Sequence, residues 1–432
     1  MRTPPTPFWL GLAGGFALAS GAFALWRRGE DRDLAHYREV RDWVRANYVR
    51  DLDSRGLVDA ALHGMVESLD GYSRYYDGAQ VAALERDTTG RYRGIGVVFR
   101  PPLDSARVLF ALPGSPADRA GLRPGDKILA VDGVQSEELD GPALQRAIGE
   151  SGSDTLELVV QARSGDTRTL RLERAELVDP TVRHAQMLDP ERGIAYLAIT
   201  SFSKETPAEF DRWVAVLQAQ GMRALVLDVR GNLGGVLHSA VRIANRFLDR
   251  GLIVSTEGRG EPTRYDALRA EATLAALPLA LLVDADTASA SEVLAGAVQD
   301  HRRAVLVGGK TYGKGMVQQV RAFGDDEAEV RLTTGYYYTP AHTNIERTVQ
   351  KGREHGLMPD LRVELPREVA ARVRAYLARY SPPESTLEEL RAWERDEGIV
   401  LVPPLVRDAQ LEAALALFRG ERPGPQPLEK RP

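Results

Sequence analysis

Between Val178 and Val307 the chain repeatedly switches hydrophobic period, and that alternation constrains its fold more than any other feature. Short apolar runs at Ile194–Ile199, Ala224–Val229, Leu279–Val283 and Ala304–Val307 have the length and composition of buried strands. Between them, Pro207–Gln220, Leu237–Leu248 and Glu292–Asp300 carry apolar residues at helical spacing. Strands alternating with helices predict an α/β layer fold. At 432 residues the chain is too long for one compact core, so further modules are expected around it.

From about Arg91 the texture is different. Gly94–Phe99, Val108–Phe110, Lys127–Val131 and Leu156–Val160 are short apolar runs. Pro113-Gly114-Ser115-Pro116 and Arg123-Pro124-Gly125-Asp126 supply turn chemistry between them. With one short helix over Pro142–Gly149, this predicts a small β-rich module. Ahead of it, Leu34, Tyr37, Val40, Val44 and Tyr48 recur at helical spacing, and a second helix is expected over Leu57–Leu69. Past Pro366 the chain becomes helical and charged, with Ser385 and Glu388 at capping-box spacing. The ending Pro423-Gly424-Pro425-Gln426-Pro427 is too polar and proline-rich to pack.

Lys plus Arg number 56 against 61 Asp plus Glu, a net charge of -5. No strong field of either sign follows, so nucleic acid is not an expected partner. The absence of cysteine excludes disulfides, thiol catalysis and thiolate metal sites. The seven histidines show no metal-ligand spacing, and no metal is expected. Phe8–Trp26 is uncharged and flanked by Arg2 and Arg27-Arg28. As a helix it would span roughly 28 Å, about one hydrocarbon core. Ala17-Leu18-Ala19 and Ala22-Phe23-Ala24 both fit a small-residue cleavage site. Export is expected, through either a retained membrane anchor or a removed signal peptide.

Common catalytic signatures fail. There is no Gly-x-Ser-x-Gly elbow and no His-Glu-x-x-His, and Gly308-Gly309-Lys310-Thr311 lacks the first glycine of a phosphate loop, which would fall at Ala304. What remains is Thr287-Ala288-Ser289-Ala290-Ser291-Glu292, a small-residue loop between a buried strand and a helix. A hydroxyl there sits where free backbone N–H groups can stabilise an oxyanion. The same spacing of Ser289 and Glu292 also describes an ordinary capping box, and both readings stand. Downstream, Lys314 lies between Gly313 and Gly315, ahead of an expected strand at Met316–Val320. A desolvated lysine there would lose its proton readily and serve a serine as general base; a solvated lysine in a turn is the alternative. In an extended strand Gln318 would share the face of Lys314 and hold its amine.

These segments resemble the carboxy-terminal processing proteases, a family of PDZ-containing serine peptidases. Thr287–Glu292 resembles the family's nucleophile loop, and Gln299-Asp300-His301-Arg302-Arg303-Ala304-Val305 the helix and strand after it. Tyr312-Gly313-Lys314-Gly315-Met316-Val317-Gln318 resembles the lysine motif, 25 residues after the serine and with the glutamine four further on. Leu227-Asp228-Val229-Arg230-Gly231-Asn232-Leu233-Gly234-Gly235 resembles the glycine loop that supplies an oxyanion donor. Gly90–Val97, Pro113–Ala117, Gly121–Asp126 and Asp132-Gly133 resemble a PDZ domain of this family. The likeness covers about residues 34 to 365 and thins near Pro340–Met358, where Ala341-His342-Thr343-Asn344 replaces the expected glycine-containing turn.

The resemblance implies an α/β peptidase core like the crotonase and Clp-type spiral, with an inserted β-rich PDZ domain and helical arms at both ends. It implies a Ser289–Lys314 dyad with Gln318 orienting the lysine, and the N–H groups of Ala290 and Gly235 as oxyanion donors, with Gly234 the rival of Gly235. Gly94-Ile95-Gly96-Val97 would receive the C-terminal carboxylate of a protein tail. No cofactor is implied. The expected partition is a signal or anchor over 1–30, a helical arm over 31–85, the PDZ domain over 86–176, the peptidase core over 177–365, a helical region over 366–420 and a disordered tail over 421–432. Expected partners are unfolded or C-terminally tagged proteins, the membrane if the first segment is retained, and a second copy in a homodimer. The expected location is periplasmic or anchored to the inner membrane. An inactive tail-binding scaffold and a crotonase-like acyl-CoA enzyme are the alternatives.

Overall fold

The structure, a computed structural model, describes residues 32–100, 106–149, 153–323, 328–348 and 355–421. The Phe8–Trp26 segment and the proline-rich ending lie outside these. Among the described residues no helix is long and apolar enough to cross a membrane. The chain divides into two compact units, Met1–Asp77 with Val320–Leu332, and Gly78–Gln319 with Thr333–Pro432.

In the first unit a helix over 32–47 is followed by one over Ser54–Glu67. The second starts earlier than its apolar pattern suggests because Asp53 caps it, accepting from Gly56 N at 2.9 Å. A strand at Arg74–Asp77 then pairs antiparallel with Ala328–Arg331.

The larger unit is organised by a six-stranded sheet in chain order: β1 Val182–Asp189, β2 Ile194–Ile199, β3 Ala224–Asp228, β4 Leu279–Val283, β5 Val305–Gly308 and β6 Leu361–Arg362. Only β1 and β2 pair antiparallel; every later pairing is parallel. Every residue of β2, β3 and β4 is buried, as strands covered on both faces must be. On one face Leu225, Leu227 and Leu281 meet Phe210, Phe247 and Leu294 from helices α1 Thr206–Ala219, α2 Leu237–Phe247 and α3 Ala290–Asp300. On the other, Tyr196, Val226 and Leu282 meet Val373 and Tyr376 of α4 Arg367–Leu377 and Leu411 and Leu415 of α6 Ala409–Arg419. The C-terminal helices thus fold back as the second helical layer. Between α4 and α6, α5 Leu387–Glu397 starts from Thr386 after a tight turn at Glu384–Thr386. The capping box expected from Ser385 and Glu388 does not form, because the Pro382-Pro383 pair directs the chain into that turn first.

Asp408, the N-cap of α6, ties this layer to the sheet. Its carboxylate accepts from Arg230 Nη1 at 2.9 Å, and Arg230 Nη2 donates to Asp228 at 2.7 Å. Tyr196 O–H completes the buried group by donating to Asp228 at 2.7 Å. Burial opposes the Arg230 charge, and the two carboxylates overcome it, raising its pKa.

The β-rich module has its own core of Ile95, Val108, Ile128, Leu144, Leu158 and Val160. The Gly94–Phe99 run divides into strands Arg91–Gly94 and Val97–Phe99. Gly96 turns the chain between them at φ 77°, where an added Cβ would lie 2.4 Å from that of Ser115. Val97–Phe99 pairs with Val108–Ala111, and its other edge is unpaired among the described residues. A helix at Gly78–Thr89 runs across the boundary expected near 85 and 86.

Candidate active site

Two loops meet at the C-terminal ends of β3 and β4. The β4–α3 loop is fastened to the β3–α2 loop through Asn232, whose carbonyl accepts from Ala288 N and Ser291 Oγ, each at 3.0 Å. Ser289 occupies the turn itself with φ 58° and ψ −119°. Helix N-caps ordinarily have extended backbone. A non-glycine residue held at positive φ costs about 1–3 kcal/mol and is found where a strand-to-helix turn presents a nucleophile. The capping box is present, with Glu292 Oε2 accepting from Ser289 N at 3.0 Å, so the helix start is capped as the spacing of Ser289 and Glu292 predicts.

The glycine loop comes close enough to require glycine. A Cβ on Gly234 would lie 2.8 Å from Ser289 Cβ and 3.0 Å from Ala290 N, and one on Gly235 would lie 2.1 Å from the Phe202 carbonyl. The two candidate donors differ. Gly234 N–H is engaged, donating to Asn232 Oδ1 at 2.9 Å. Gly235 N–H and Ala290 N–H have no hydrogen-bond partner among the described residues. Leu233 between these loops is 69 % exposed, an apolar side chain held in water beside the serine turn.

Lys314 reaches the same place by a third segment. Glu292, with 0 % of its surface exposed, accepts from Thr311 Oγ1 (2.6 Å), Gly313 N (2.7 Å) and Lys314 N (2.8 Å) as well as from Ser289 N. The main-chain nitrogens of Ser289 and Lys314 therefore share one carboxylate oxygen. Burial raises the Glu292 carboxyl above its ordinary range, against these hydrogen bonds, which favour the ionised form. Glu346, also fully buried, holds Gly315 N at 2.9 Å. Lys314 itself is half-buried and precedes the strand, which runs Met316–Phe323. Its relation to Gln318 is thus not that of two positions on one strand face, because Gly313 turns at φ 83° and the Glu292 contacts hold the segment out of the sheet. Gln318 is half-buried, two residues into the strand.

The sequence suggested Glu292 only as a capping partner. Its spacing from Ser289 was visible, but its reach to Thr311–Lys314 depends on how α3 packs beside that segment. Glu346 and Asp408 carried no local signal at all, and Arg230 stood only as one position of the glycine-loop motif.

Gly94, Ile95, Gly96 and Val97 line a cavity of about 1070 Å³. The N–H groups of Ile95 and Gly96 have no hydrogen-bond partner among the described residues. Their carbonyls are used inside the module, by Ala117 N at 2.9 Å and Leu112 N at 2.8 Å.

Residues 193–363 match the model of peptidase family S41, and residues 110–162 match that of a PDZ domain. Together these define a serine-type peptidase that carries a PDZ domain. A carboxy-terminal-processing protease of Bartonella bacilliformis is 31% identical over 411 residues, 90% of this chain and 89% of that one. A carboxyl-terminal-processing protease of Picosynechococcus sp. is 37% identical over 319 residues, 72% and 74% of the two chains. Among solved structures, a photosystem II D1 C-terminal processing protease aligns over 74% of this chain and 85% of its own, at 30% identity and a TM-score of 0.43. The chain belongs to the carboxyl-terminal-processing protease family.

Proposed function

We propose that the protein is an exported serine endopeptidase in which Ser289 attacks the peptide carbonyl and the neutral amine of Lys314 takes its proton. Gln318 orients the lysine, and the N–H groups of Ala290 and Gly235 receive the oxyanion. Residues 177–365 act as the peptidase core, and residues 86–176 hold the C-terminal tail of the substrate along Gly94-Ile95-Gly96-Val97. The first thirty residues direct the chain to the periplasm or anchor it to the inner membrane facing that space.

The observation that carries this reading is the shared carboxylate. Glu292 binds the backbone of Ser289 and of Lys314 at once, and Ser289 sits at positive φ rather than in a relaxed cap. A turn serving only to start a helix has no need of that strain, nor of a lysine segment fastened to the same oxygen. The unused N–H of Gly235, against the engaged one of Gly234, favours Gly235 as donor.

The test is cleavage of an unfolded protein with an apolar C-terminus. Ser289→Ala and Lys314→Ala should each lower the rate by about 10³-fold or more while thermal unfolding stays nearly unchanged. Full activity in either variant sinks the dyad, and inactivity of the unaltered protein on every such substrate favours the scaffold alternative.

A further inference from the structure

A groove for an apolar tail needs a carboxylate-binding loop, an open strand edge and an apolar floor. The cavity beside Val97–Phe99 has these and an excess of positive charge. Five arginines line it, Arg86, Arg93, Arg146, Arg379 and Arg391, against one carboxylate, Asp179. That carboxylate is already engaged, accepting from Tyr380 O–H at 2.8 Å with Arg183 Nη2 at 3.8 Å. Two of the arginines are engaged as well: Arg93 pairs with Asp154, and Arg391 donates to Glu394 at 2.7 Å. The side chains of Arg146 and Arg379 have no ion pair and no hydrogen bond among the described residues. They come from different walls. Arg146 is on the Gly141–Gly149 helix, and Arg379 follows α4 in the C-terminal layer.

We propose that this cavity selects C-terminal tails that are apolar at the end and acidic in the residues just before it. The inference rests on the tail-binding reading above and names the substrate class for it. A carboxylate on the N–H groups of Ile95 and Gly96 starts the tail at one end of the open edge. Each further residue adds about 3.3 Å along that edge, so upstream side chains enter the space between the two arginine-bearing walls. Carboxylates there meet guanidinium groups that no protein carboxylate neutralises, while lysine or arginine in the tail meets like charge.

The experiment uses the full chain carrying Ser289→Ala, so that bound peptide is not cleaved, and labelled decapeptides read by fluorescence anisotropy. All end in the same apolar tripeptide; the preceding residues include two glutamates, two glutamines or two lysines. The glutamate peptide should bind about fivefold tighter than the glutamine peptide, the scale of one or two solvent-accessible ion pairs, and the lysine peptide weaker than both. The preference should shrink in high salt. Adding Arg146→Glu and Arg379→Glu together, both on exposed side chains, should abolish or invert it. Equal binding of all three peptides, or a glutamate preference that survives the double charge reversal, overturns the proposal. Equal binding of amidated peptides, or failure of every free-acid peptide to bind, instead removes the tail-binding reading beneath it.

Discussion

The main-chain nitrogens of Ser289 and Lys314 are held by one buried carboxylate, that of Glu292. Glu292 accepts hydrogen bonds from four donors, two on each oxygen. Glutamine offers only one accepting oxygen and turns an NH₂ toward two donors. Glu292→Gln should therefore loosen either the serine turn or the lysine segment. We expect a loss of about 1–3 kcal/mol in unfolding free energy. We also expect kcat to fall about 10²-fold with KM little changed, since misplacement rather than substrate contact is at fault. The carboxyl also sets a pH signature. Its folded pKa is raised, so its contribution to stability is full below the ordinary carboxyl value of 4.5 and is lost as pH rises through the folded value. Activity should move in the opposite direction over the same window, because protonation removes an acceptor from the clamp. The glutamine variant should lack both slopes. If its kcat and acid limb match those of the unaltered protein, Glu292 is only a helix cap.

At the scale of elements, the C-terminal layer is held to the sheet by charge as well as by packing. Asp408 caps α6 through Gln410 N (2.8 Å) and Leu411 N (3.1 Å) and also meets Arg230, which precedes the glycine loop. Asp408→Ala leaves a buried guanidinium with one partner fewer and a helix without its cap. It should cost about 3–5 kcal/mol in denaturant unfolding and reduce cleavage with it. Asp408→Asn, which keeps the cap oxygen, should cost less. A loss below about 0.5 kcal/mol for the alanine variant would mean that the pair behaves like a surface contact. None of this was legible in the sequence, because partners 178 residues apart leave no periodic trace. The central strands were legible for the opposite reason. Strands buried on both faces are continuous apolar runs, and Ile194–Ile199 and Leu279–Val283 have the bounds their composition suggests. Strands Leu252–Gly258 and Ala328–Tyr338 mix polar, glycine and aromatic residues and were not read. In both, a close backbone approach at Gly258 and Gly335, rather than an apolar run, defines the pairing. Ser289 and Lys314 were findable as motifs, yet the turn at Gly313 that takes the lysine out of the strand was not.

Across the larger unit, the cavity beside Val97–Phe99 borders more than the PDZ domain. His184, Ala185 and Gln186 of β1 line it, as do Tyr376 at the end of α4 and the Leu401–Leu405 stretch. His184 stacks on Tyr376 at 4.2 Å between ring centroids and takes φ 59° where the β1–β2 register shifts. A tail bound there would touch the six-stranded sheet and its C-terminal layer as well as the PDZ domain. Two outcomes separate by experiment. Under tethering, binding only raises the local concentration of substrate near Ser289. A free tail peptide added in trans would then compete and slow cleavage of a tailed substrate, without effect on a short substrate that has no tail. Under activation, the tail has different affinities for two arrangements of the core, and the same free peptide speeds cleavage of the tail-less substrate. Because the cavity wall includes the sheet itself, we expect activation, read as a several-fold rise in kcat that saturates with peptide. Spatial continuity does not establish coupling, so the decisive measurement is the reciprocal one. A non-cleavable active-site ligand should tighten tail binding by the same factor by which the tail peptide tightens that ligand. Inhibition of the tailed substrate, no effect on the tail-less one and no such reciprocity would leave tethering as the role of the domain.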